Sequence, residues 1–270
     1  MNNPLISVII PTFNRATFLE KCLLSIKNVI LNDYFNIQVV VVDGGSTDGT
    51  AHVIEKFAAE NILFISEKDH GAAEAINKGI RIAHGQIIRY FSDDDEMLSG
   101  ETKTIVEYFS DHPDIEVVGG QAIYFKDDGA HPIVQIFPEL AVGEISQKNF
   151  AQGNTSITHE SLFFRKKLFE QLGGYDDSLK FCFDVEMIWR IVTSGRKIVI
   201  TEKMLTKRIL QPESNSQVHQ KENFREFARI YFKYHAWNNL FKLIWYEKVK
   251  RKTEFPAVRI RKFVSRWFTQ

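Results

Sequence analysis

VVVVDGGSTDGT, residues 39–50, joins an apolar run to a glycine-rich loop and then to a segment of helical character. Four consecutive valines are typical of a strand buried on both faces, as strands of parallel sheets are. Asp43 follows directly, and the two glycines after it let the backbone approach a ligand closely. A helix is predicted to begin at Thr47 or Asp48. The stretch therefore predicts one strand of a parallel sheet with a ligand-binding loop at its carboxyl end.

Other parts of the N-terminal half repeat this order. Strands are predicted over Leu5–Pro11, Ile37–Asp43, Ile62–Ser66 and Gln86–Asp93, and helical periodicity lies between them at 16–28, 46–60 and 71–85. Alternating strands and helices predict an α/β fold, a mostly parallel sheet with helices on both faces. Ligands bind beyond the carboxyl ends of such strands, so the loop after each strand is a candidate site.

The loop after the fourth strand is strongly acidic. Residues 92–96 read SDDDE, and carboxylates crowded together repel one another unless a cation lies among them. Mg²⁺ and Mn²⁺ prefer such oxygen ligands and bind together with substrate phosphates. A second interpretation stays open, because acidic residues also stabilise the positive N-terminus of a helix.

Composition excludes several classes of protein. The 270 residues carry 34 basic and 34 acidic side chains, which does not favour a uniformly basic nucleic-acid binder. No apolar segment approaches the ~18 residues of a membrane span, and Cys22 and Cys182 lack metal-type spacing. We therefore expect a cytoplasmic protein with no nucleic-acid partner, whose cysteines are core thiols in a reducing compartment.

Five segments, taken in order, resemble the glycosyltransferase family 2 enzymes of the GT-A fold, in their bacterial polysaccharide-assembly branch. The resemblance covers about Leu5–Arg190 and lies in SVIIPTFNRATFLEKCLLSI, VVVVDGGSTDGT, SEKDHGAAEAINKGI, SDDDEMLSG and HESLFFRKKLFEQLGGYDDSLKFCFDVEMIWR. It implies a GT-A catalytic domain over residues 1–220, with a nucleotide-sugar half (1–98) and an acceptor half (99–220), followed by a helical extension (221–270).

The resemblance also assigns residues to the donor site. It implies that the nucleotide-sugar donor, most simply a UDP-sugar read by Asp43 at its base, contacts Pro11, Thr12, Asn14, Asp43, Asp69, Asn77, Lys78 and Asp93. The D-x-D-like motif would hold Mn²⁺ or Mg²⁺ at the donor diphosphate through Asp94, with Asp95 beside it. Ser92 stands where relatives often have an aspartate.

On the acceptor side the resemblance implies that Asp184 is the catalytic base of an inverting sugar transfer, with His159 and Arg190 nearby. The alternative from the residues alone is that Asp184 and Glu186 are polar positions of an amphipathic helix, paired with Arg190. The implied acceptor is a saccharide or a lipid-linked saccharide in cell-surface polysaccharide synthesis. A sugar nucleotidyltransferase and a non-catalytic nucleotide-binding or membrane-docking module are the alternative functions.

The last fifth of the chain differs in charge from the rest. Residues 221–270 hold thirteen basic and four acidic side chains, a net charge of +9. An apolar stripe from Phe224 to Trp245 is predicted to pack on the catalytic core. For residues 256–270, an apolar stripe opposite arginines favours peripheral contact with an anionic membrane, on its cytoplasmic face.

Overall fold

The structure is a computed structural model. It describes residues 6–33, 36–57, 61–100, 102–126, 133–135, 142–151, 157–210, 219–237, 239–241 and 244. The basic segment 256–270 lies outside the described residues. Within them, no helix combines the length and the apolar character that crossing a bilayer requires.

Ten strands in the described residues form one mixed sheet. They are β1 (Ile6–Thr12), β2 (Ile37–Asp43), β3 (Ile62–Ser66), β4 (Ile87–Tyr90), β5 (Glu96–Met97), β6 (Val117–Lys126), β7 (Ile133–Gln135), β8 (Gly143–Ile145), β9 (Leu162–Arg165) and β10 (Ile198–Leu210). The strand order is β3-β2-β1-β4-β9-β6-β10-β5, with β7 paired to β6 and β8 to β10.

The described helices are α1 (Ala16–Asp33), α2 (Thr50–Lys56), α3 (Ala72–Ile82), α4 (Thr102–Asp111), α5 (Gln147–Ala151), α6 (Lys166–Leu172), α7 (Phe183–Thr193) and α8 (Gln220–Lys233). A 3₁₀ turn at His159–Ser161 leads into β9. The α/β class and the strand–helix alternation predicted from the sequence are confirmed.

The predicted parallel arrangement holds for the N-terminal half. β1 pairs in parallel with β2 and β4, and β2 with β3. Beyond β4 the sheet is mixed, because β9 runs antiparallel to both β4 and β6, whereas β6 and β10 are parallel. The carboxyl ends of β1 to β4 thus share one edge.

Apolar residues cover both faces of the sheet. On one face, α1, α2 and α4 pack over β1 and β2, around residues such as Leu19, Val53 and Ile105. On the other, α3, α6 and α7 pack over the same strands and β9, around residues such as Ile76 and Trp189. Every residue of β2 is buried, as its unbroken β-branched run predicts. Cys22 and Cys182 are buried free thiols within these two clusters.

The start of α2 differs from the sequence prediction. The helix begins at Thr50, after Gly49 in the left-handed region (φ 97°), rather than at Thr47 or Asp48. Thr47 N donates to Asn14 Oδ1 at 2.9 Å, and Asp48 Oδ2 accepts from Ala16 N at 2.9 Å. These residues are therefore engaged with the loop after β1, which delays the helix by one turn.

Candidate functional site

The loops after β1 to β4 lie together at the carboxyl edge of the parallel strands. Asn14 N donates to Ser46 Oγ at 2.7 Å, which joins the loops after β1 and β2. A side chain on Gly44 would lie 3.0 Å from Asp69 Oδ2, which places the loop after β3 against the loop after β2. Thr12 Oγ1 donates to Asp93 Oδ2 at 2.8 Å and joins β1 to the acidic loop. The four loops predicted to carry function form one surface.

Asp43 ends β2 with a nearly buried carboxylate, 2% exposed. Ser46 N donates to it at 3.0 Å, Ser66 Oγ at 2.6 Å, and Ser46 Oγ also donates to it. Pro11 and Thr12 stand beside it in β1, where Thr12 pairs with Asp43 in the parallel register. These donors fix the orientation of the Asp43 carboxylate at the end of β2.

Asp69 lies in the loop after β3, where Gly71 N donates to its Oδ1 at 3.0 Å. Partial burial raises the pKa of Asp69, whereas that backbone hydrogen bond acts in the opposite direction. Lys78 pairs with two other carboxylates, with Nζ 2.9 Å from Glu67 Oε1 and 3.0 Å from Glu74 Oε1, and its positive charge also lowers the pKa of Asp69.

Asn77 connects two elements. Its Nδ2 donates to Tyr175 O at 2.9 Å and its Oδ1 accepts from Tyr175 N at 2.8 Å. The approach is close, because a side chain on Gly174 (φ 78°) would come within 2.6 Å of Asn77 Oδ1. The amide therefore fastens α3 to the loop after α6, and its role at the donor stays a prediction.

Arg15 neutralises the first half of the acidic loop. Its Nη2 lies 2.8 Å from Asp94 Oδ2 and its Nη1 lies 3.3 Å from Asp93 Oδ1. Ser92 Oγ donates to Asp94 Oδ1 at 2.6 Å. Burial raises the pKa of Asp93 to about 6, with Arg15 and Thr12 acting in the opposite direction. The repulsion expected from the sequence is thus relieved by an arginine of the first loop.

Asp95 points into the protein instead. It is 1% exposed, and its Oδ2 lies 3.3 Å from Arg208 Nε in β10. The same guanidinium forms a bidentate ion pair with Glu160, in which Nη1 and Nη2 each lie 2.9 Å from a carboxylate oxygen. Burial raises the pKa of Asp95 well above its usual range, against the opposing effect of Arg208. The two residues predicted to bind the metal thus lie in different surroundings. Asp94 lies at the surface, whereas Asp95 belongs to a buried ion-pair network.

Asp184 occupies the first turn of α7 and is partly buried. Val185 N donates to its Oδ1 at 2.8 Å. The pKa of Asp184 is raised to about 6. Burial is the largest cause, the negative charge of Glu160 acts in the same direction, and Arg208 acts in the opposite direction. Asp184 is therefore within electrostatic reach of the network that contains Asp95. A carboxylate with a pKa near neutrality is well suited to accept a proton.

The two other residues predicted for the acceptor side have partners inside the protein. His159 is 3% exposed, and its Nε2 lies 2.7 Å from Tyr175 Oη. Burial lowers the pKa of His159 to about 3, so the ring is neutral. Arg190 donates to Glu186 Oε2 at 2.8 Å and to Leu172 O at 2.6 Å. Arg190 thus pairs with Glu186, as the helix interpretation predicted, and Asp184 stays out of that pair.

The donor set fits a divalent cation held jointly with a substrate. No group of three or more His, Cys, Asp or Glu side chains that could hold a metal occurs in the part of the chain that the structure describes. Mg²⁺, however, usually takes one or two carboxylates and completes its shell with water and substrate phosphates. Asp93 and Asp94 supply such carboxylates, and the Arg15 guanidinium between them marks a position that stabilises positive charge.

Sequence reasoning missed Arg15, Glu160 and Arg208. Glu160 follows the predicted His159, and Arg208 lies in β10, beyond the part of the chain that the family resemblance covers. A charged residue inside an apolar strand indicates a buried ion pair, because a buried charge requires a partner. The partner itself is set by the tertiary fold.

Comparison with known proteins identifies the family of this chain. The sequence profile of the family described as Glycosyl transferase family 2 matches residues 7–173. A PGL/p-HBAD biosynthesis glycosyltransferase of Mycobacterium bovis is 29% identical over 184 residues, which span 65% of this chain and 65% of that protein.

Two solved structures share the fold. S. aureus TarS 1-349 in complex with UDP-GlcNAc has a TM-score of 0.66 at 17% identity, covering 88% of this chain and 71% of that one. The mannosyltransferase PcManGT from Pyrobaculum calidifontis, in complex with GDP-Man and Mn²⁺, has a TM-score of 0.62 at 19% identity. The match covers 99% of this chain and 81% of that one. The profile match extends over more than half of the chain and includes the four loops of the site, and the chain belongs to glycosyl transferase family 2.

Proposed function

We propose that this chain is a metal-dependent, inverting glycosyltransferase that takes a sugar from a UDP-sugar. The observation that carries the proposal is the Asp95–Arg208–Glu160 network, which links the acidic loop after β4 to the surroundings of Asp184. A donor-binding edge and a carboxylate with the pKa of a base thus belong to one electrostatic unit.

The donor would lie along the loops after β1 to β4. Asp43 and Asn14 flank the nucleoside position, and Asp69 borders it from the loop after β3. The solved neighbours were crystallised with UDP-GlcNAc and with GDP-Man, so the fold accepts either nucleotide. UDP is proposed for this chain on its resemblance to family members that read uracil with the aspartate at the end of the second strand.

Asp93 and Asp94 would hold Mn²⁺ or Mg²⁺ against the donor diphosphate. When bound, the cation offsets the negative charge that develops on the departing nucleoside diphosphate. Arg15 would then have to leave at least one of its two carboxylates, because it occupies the space between them.

Asp184 would act on the acceptor. Its carboxylate accepts the proton of the attacking hydroxyl while the acceptor oxygen bonds to the anomeric carbon and the bond to the diphosphate breaks. One displacement inverts the anomeric configuration. Base assistance of this kind typically contributes about 10² to 10⁴ in rate.

The proposed acceptor is a saccharide or lipid-linked saccharide of the cell surface, and the transferred group a hexosyl-type sugar. The mycobacterial relative is named for PGL/p-HBAD biosynthesis, which supports a cell-envelope role in outline only. We place the enzyme in the cytoplasm, at the inner face of the membrane, with residues 256–270 in contact with anionic lipid.

A screen of nucleotide-sugars tests the proposal. Thermal stabilisation and release of free nucleotide are measured for a panel of UDP-, GDP- and other donors, with Mn²⁺ and with EDTA. One donor should stabilise the protein and be hydrolysed slowly when Mn²⁺ is present. With EDTA, neither effect should be seen. Stabilisation without hydrolysis or transfer to any acceptor would favour the non-catalytic module instead.

A further inference from the structure

The outer side of α8 carries a row of cations. Lys221, Arg225, Arg229 and Lys233 recur every four residues, so they share one side of the helix, and all four are exposed. The opposite side packs on the core through Phe227, Ile230 and Tyr231.

Acidic residues do not neutralise this row. Glu226 turns its carboxylate to the backbone N–H groups of residues 180–182, each at 2.9 Å. Lys233 binds Glu186 at 2.8 Å and is still 54% exposed. In the described part of the chain, no carboxylate lies within ion-pairing distance of Arg225 or Arg229. Glu222 is exposed on the same side, and Asp176 and Glu186 line one recess with Arg229 and Lys233. The positive charge that no ion pair offsets in the described residues therefore lies at Lys221, Arg225 and Arg229.

Large apolar side chains continue the row beyond the helix. Phe232 is 63% exposed, Trp237 44%, Phe241 68% and Ile244 36%. The rings of Phe232 and Trp237 meet edge to face, with centroids 5.5 Å apart. Trp237, Phe241 and Ile244 lie in helical backbone at steps of four and three, which places them on one side.

This exposure corrects the sequence prediction. The apolar stripe was expected to pack on the core along its whole length. It does so as far as Tyr234, which packs with the core cluster and stacks on Trp189 at a centroid distance of 5.8 Å. From Trp237 on, Trp237, Phe241 and Ile244 turn outward, whereas Leu240 is half-buried and Ala236 is buried.

We propose that this surface, Lys221, Arg225, Arg229, Phe232, Lys233, Trp237, Phe241 and Ile244, docks on an anionic lipid bilayer. The cations would meet lipid phosphates, and the aromatic and aliphatic side chains would enter the boundary between headgroups and acyl chains. Cations beside exposed aromatic residues form the composition that suits this boundary.

Charge decides between a membrane and a second copy of this chain. In a two-fold dimer the same patch would face itself, and its cations would be opposed by identical cations. An anionic bilayer presents the complementary charge. The surface contains none of residues 256–270, so it would add a membrane contact of its own.

Sedimentation of the full-length protein with vesicles tests the proposal. The vesicles contain phosphatidylcholine alone or phosphatidylcholine mixed with phosphatidylglycerol, at low and at high salt. The wild type should bind the mixed vesicles at low salt and release as the salt screens the surface charge. Because each basic residue near an anionic surface strengthens binding about fivefold, the R225Q/R229Q double variant should bind about 25-fold more weakly.

A matched control removes the same charge elsewhere. Lys21 and Arg81 are exposed on α1 and α3, and the K21Q/R81Q variant should bind within about twofold of the wild type. The W237S/F241S variant should weaken binding at either salt concentration. Unchanged melting temperatures establish that the variants fold.

Equal vesicle binding by R225Q/R229Q and wild type would overturn the proposal. So would a concentration-dependent dimer of the wild type that W237S/F241S abolishes, because the patch would then bind a second copy. Vesicle binding needs neither donor nor metal, so the outcome is independent of the proposed catalysis.

Discussion

At the residue scale, the adjacent aspartates of the acidic loop have different partners. Asp94 is partly exposed and meets Arg15, Asp93 is buried against Thr12, and Asp95 faces Arg208. Asp93 and Asp94 lie in a turn, in which Asp95 N donates to Ser92 O at 3.3 Å, and this turn separates carboxylates that the sequence crowds together. Cation binding is therefore expected to depend on Asp94 far more than on its neighbours.

We predict that Asp94→Asn weakens Mn²⁺-dependent UDP binding by about tenfold or more, since it removes a hard, charged oxygen ligand. Glu96→Gln is the control, because Glu96 pairs with Lys207 at 2.9 Å and not with Arg15. Calorimetric titration of UDP with and without Mn²⁺ measures both. If both variants bind UDP equally and without needing Mn²⁺, the acidic cluster is not a metal site. It would then be only the acidic start of a helix.

Asp184→Asn should separate catalysis from donor binding. Turnover should fall about 10²-fold or more, whereas UDP affinity stays within a few-fold, because the carboxylate acts on the acceptor. Retained turnover would remove Asp184 from the mechanism.

The same variant should be more stable than the wild type at neutral pH. The pKa of Asp184 is raised to about 6 in the folded state, so ionising it costs folding free energy, and stability is lost as pH rises from about 4 to 6. Removing the charge should recover about 1–3 kcal/mol at pH ~7 and nothing at pH ~4. Chemical denaturation at the two pH values measures the difference, and a stability loss at neutral pH would contradict the assigned pKa.

Sequence patterns identified the site carboxylates but not their counter-ions. Asp43 and Asp94 follow apolar strands directly, and Asp184 was assigned from a motif of the family that the chain resembles. Arg208 lies in a strand paired with β6, a contact between residues distant in the chain, and nothing local to Arg208 encodes its bond to Glu160. The motif position of His159 likewise does not reveal that the ring is buried.

At the element scale, strands with unbroken β-branched runs were predictable and interrupted ones were not. The bounds of β1 to β4 were expected within three residues of where they lie. β6 contains Gly119 and Gly120, which read as a turn. In the sheet they are required, because a side chain on Gly119 would come within 2.4 Å of Leu162 Cδ2, and one on Gly120 within 2.3 Å of Lys203 O.

Asn77 tests whether α3 contributes to binding or to architecture. Both ends of its amide are used by Tyr175, so Asn77→Ala should lower the free energy of unfolding by about 1–3 kcal/mol. UDP affinity should change little in the folded protein. Arg81→Ala, exposed on the same helix, is the control for helix propensity. A loss of UDP affinity without a loss of stability would support the donor-site role that the resemblance implies for Asn77.

At the scale of the whole molecule, charge separates a catalytic part from a basic extension. Residues 221–270 carry a net charge of +9. α8 joins the two parts, with one side in the core and the other exposed.

A chain that ends at Glu254 should still bind UDP and remain soluble. It should bind anionic vesicles more weakly than the full chain, because it lacks the proposed contact of residues 256–270, yet more strongly than the same truncation with R225Q/R229Q. Vesicle sedimentation and UDP titration measure the two properties. Unfolding of the truncated chain would show that the terminal segment belongs to the core.

The pH dependence of kcat tests the central claim that Asp184 is the base of this glycosyltransferase. It is measured as UDP release from the donor found in the screen, with Mn²⁺ and acceptor present. Because the base must be ionised and its pKa is about 6, kcat should fall tenfold for each pH unit below that value and be level above it. A rate that stays level down to about pH 4, the range of an ordinary aspartate, would contradict the account.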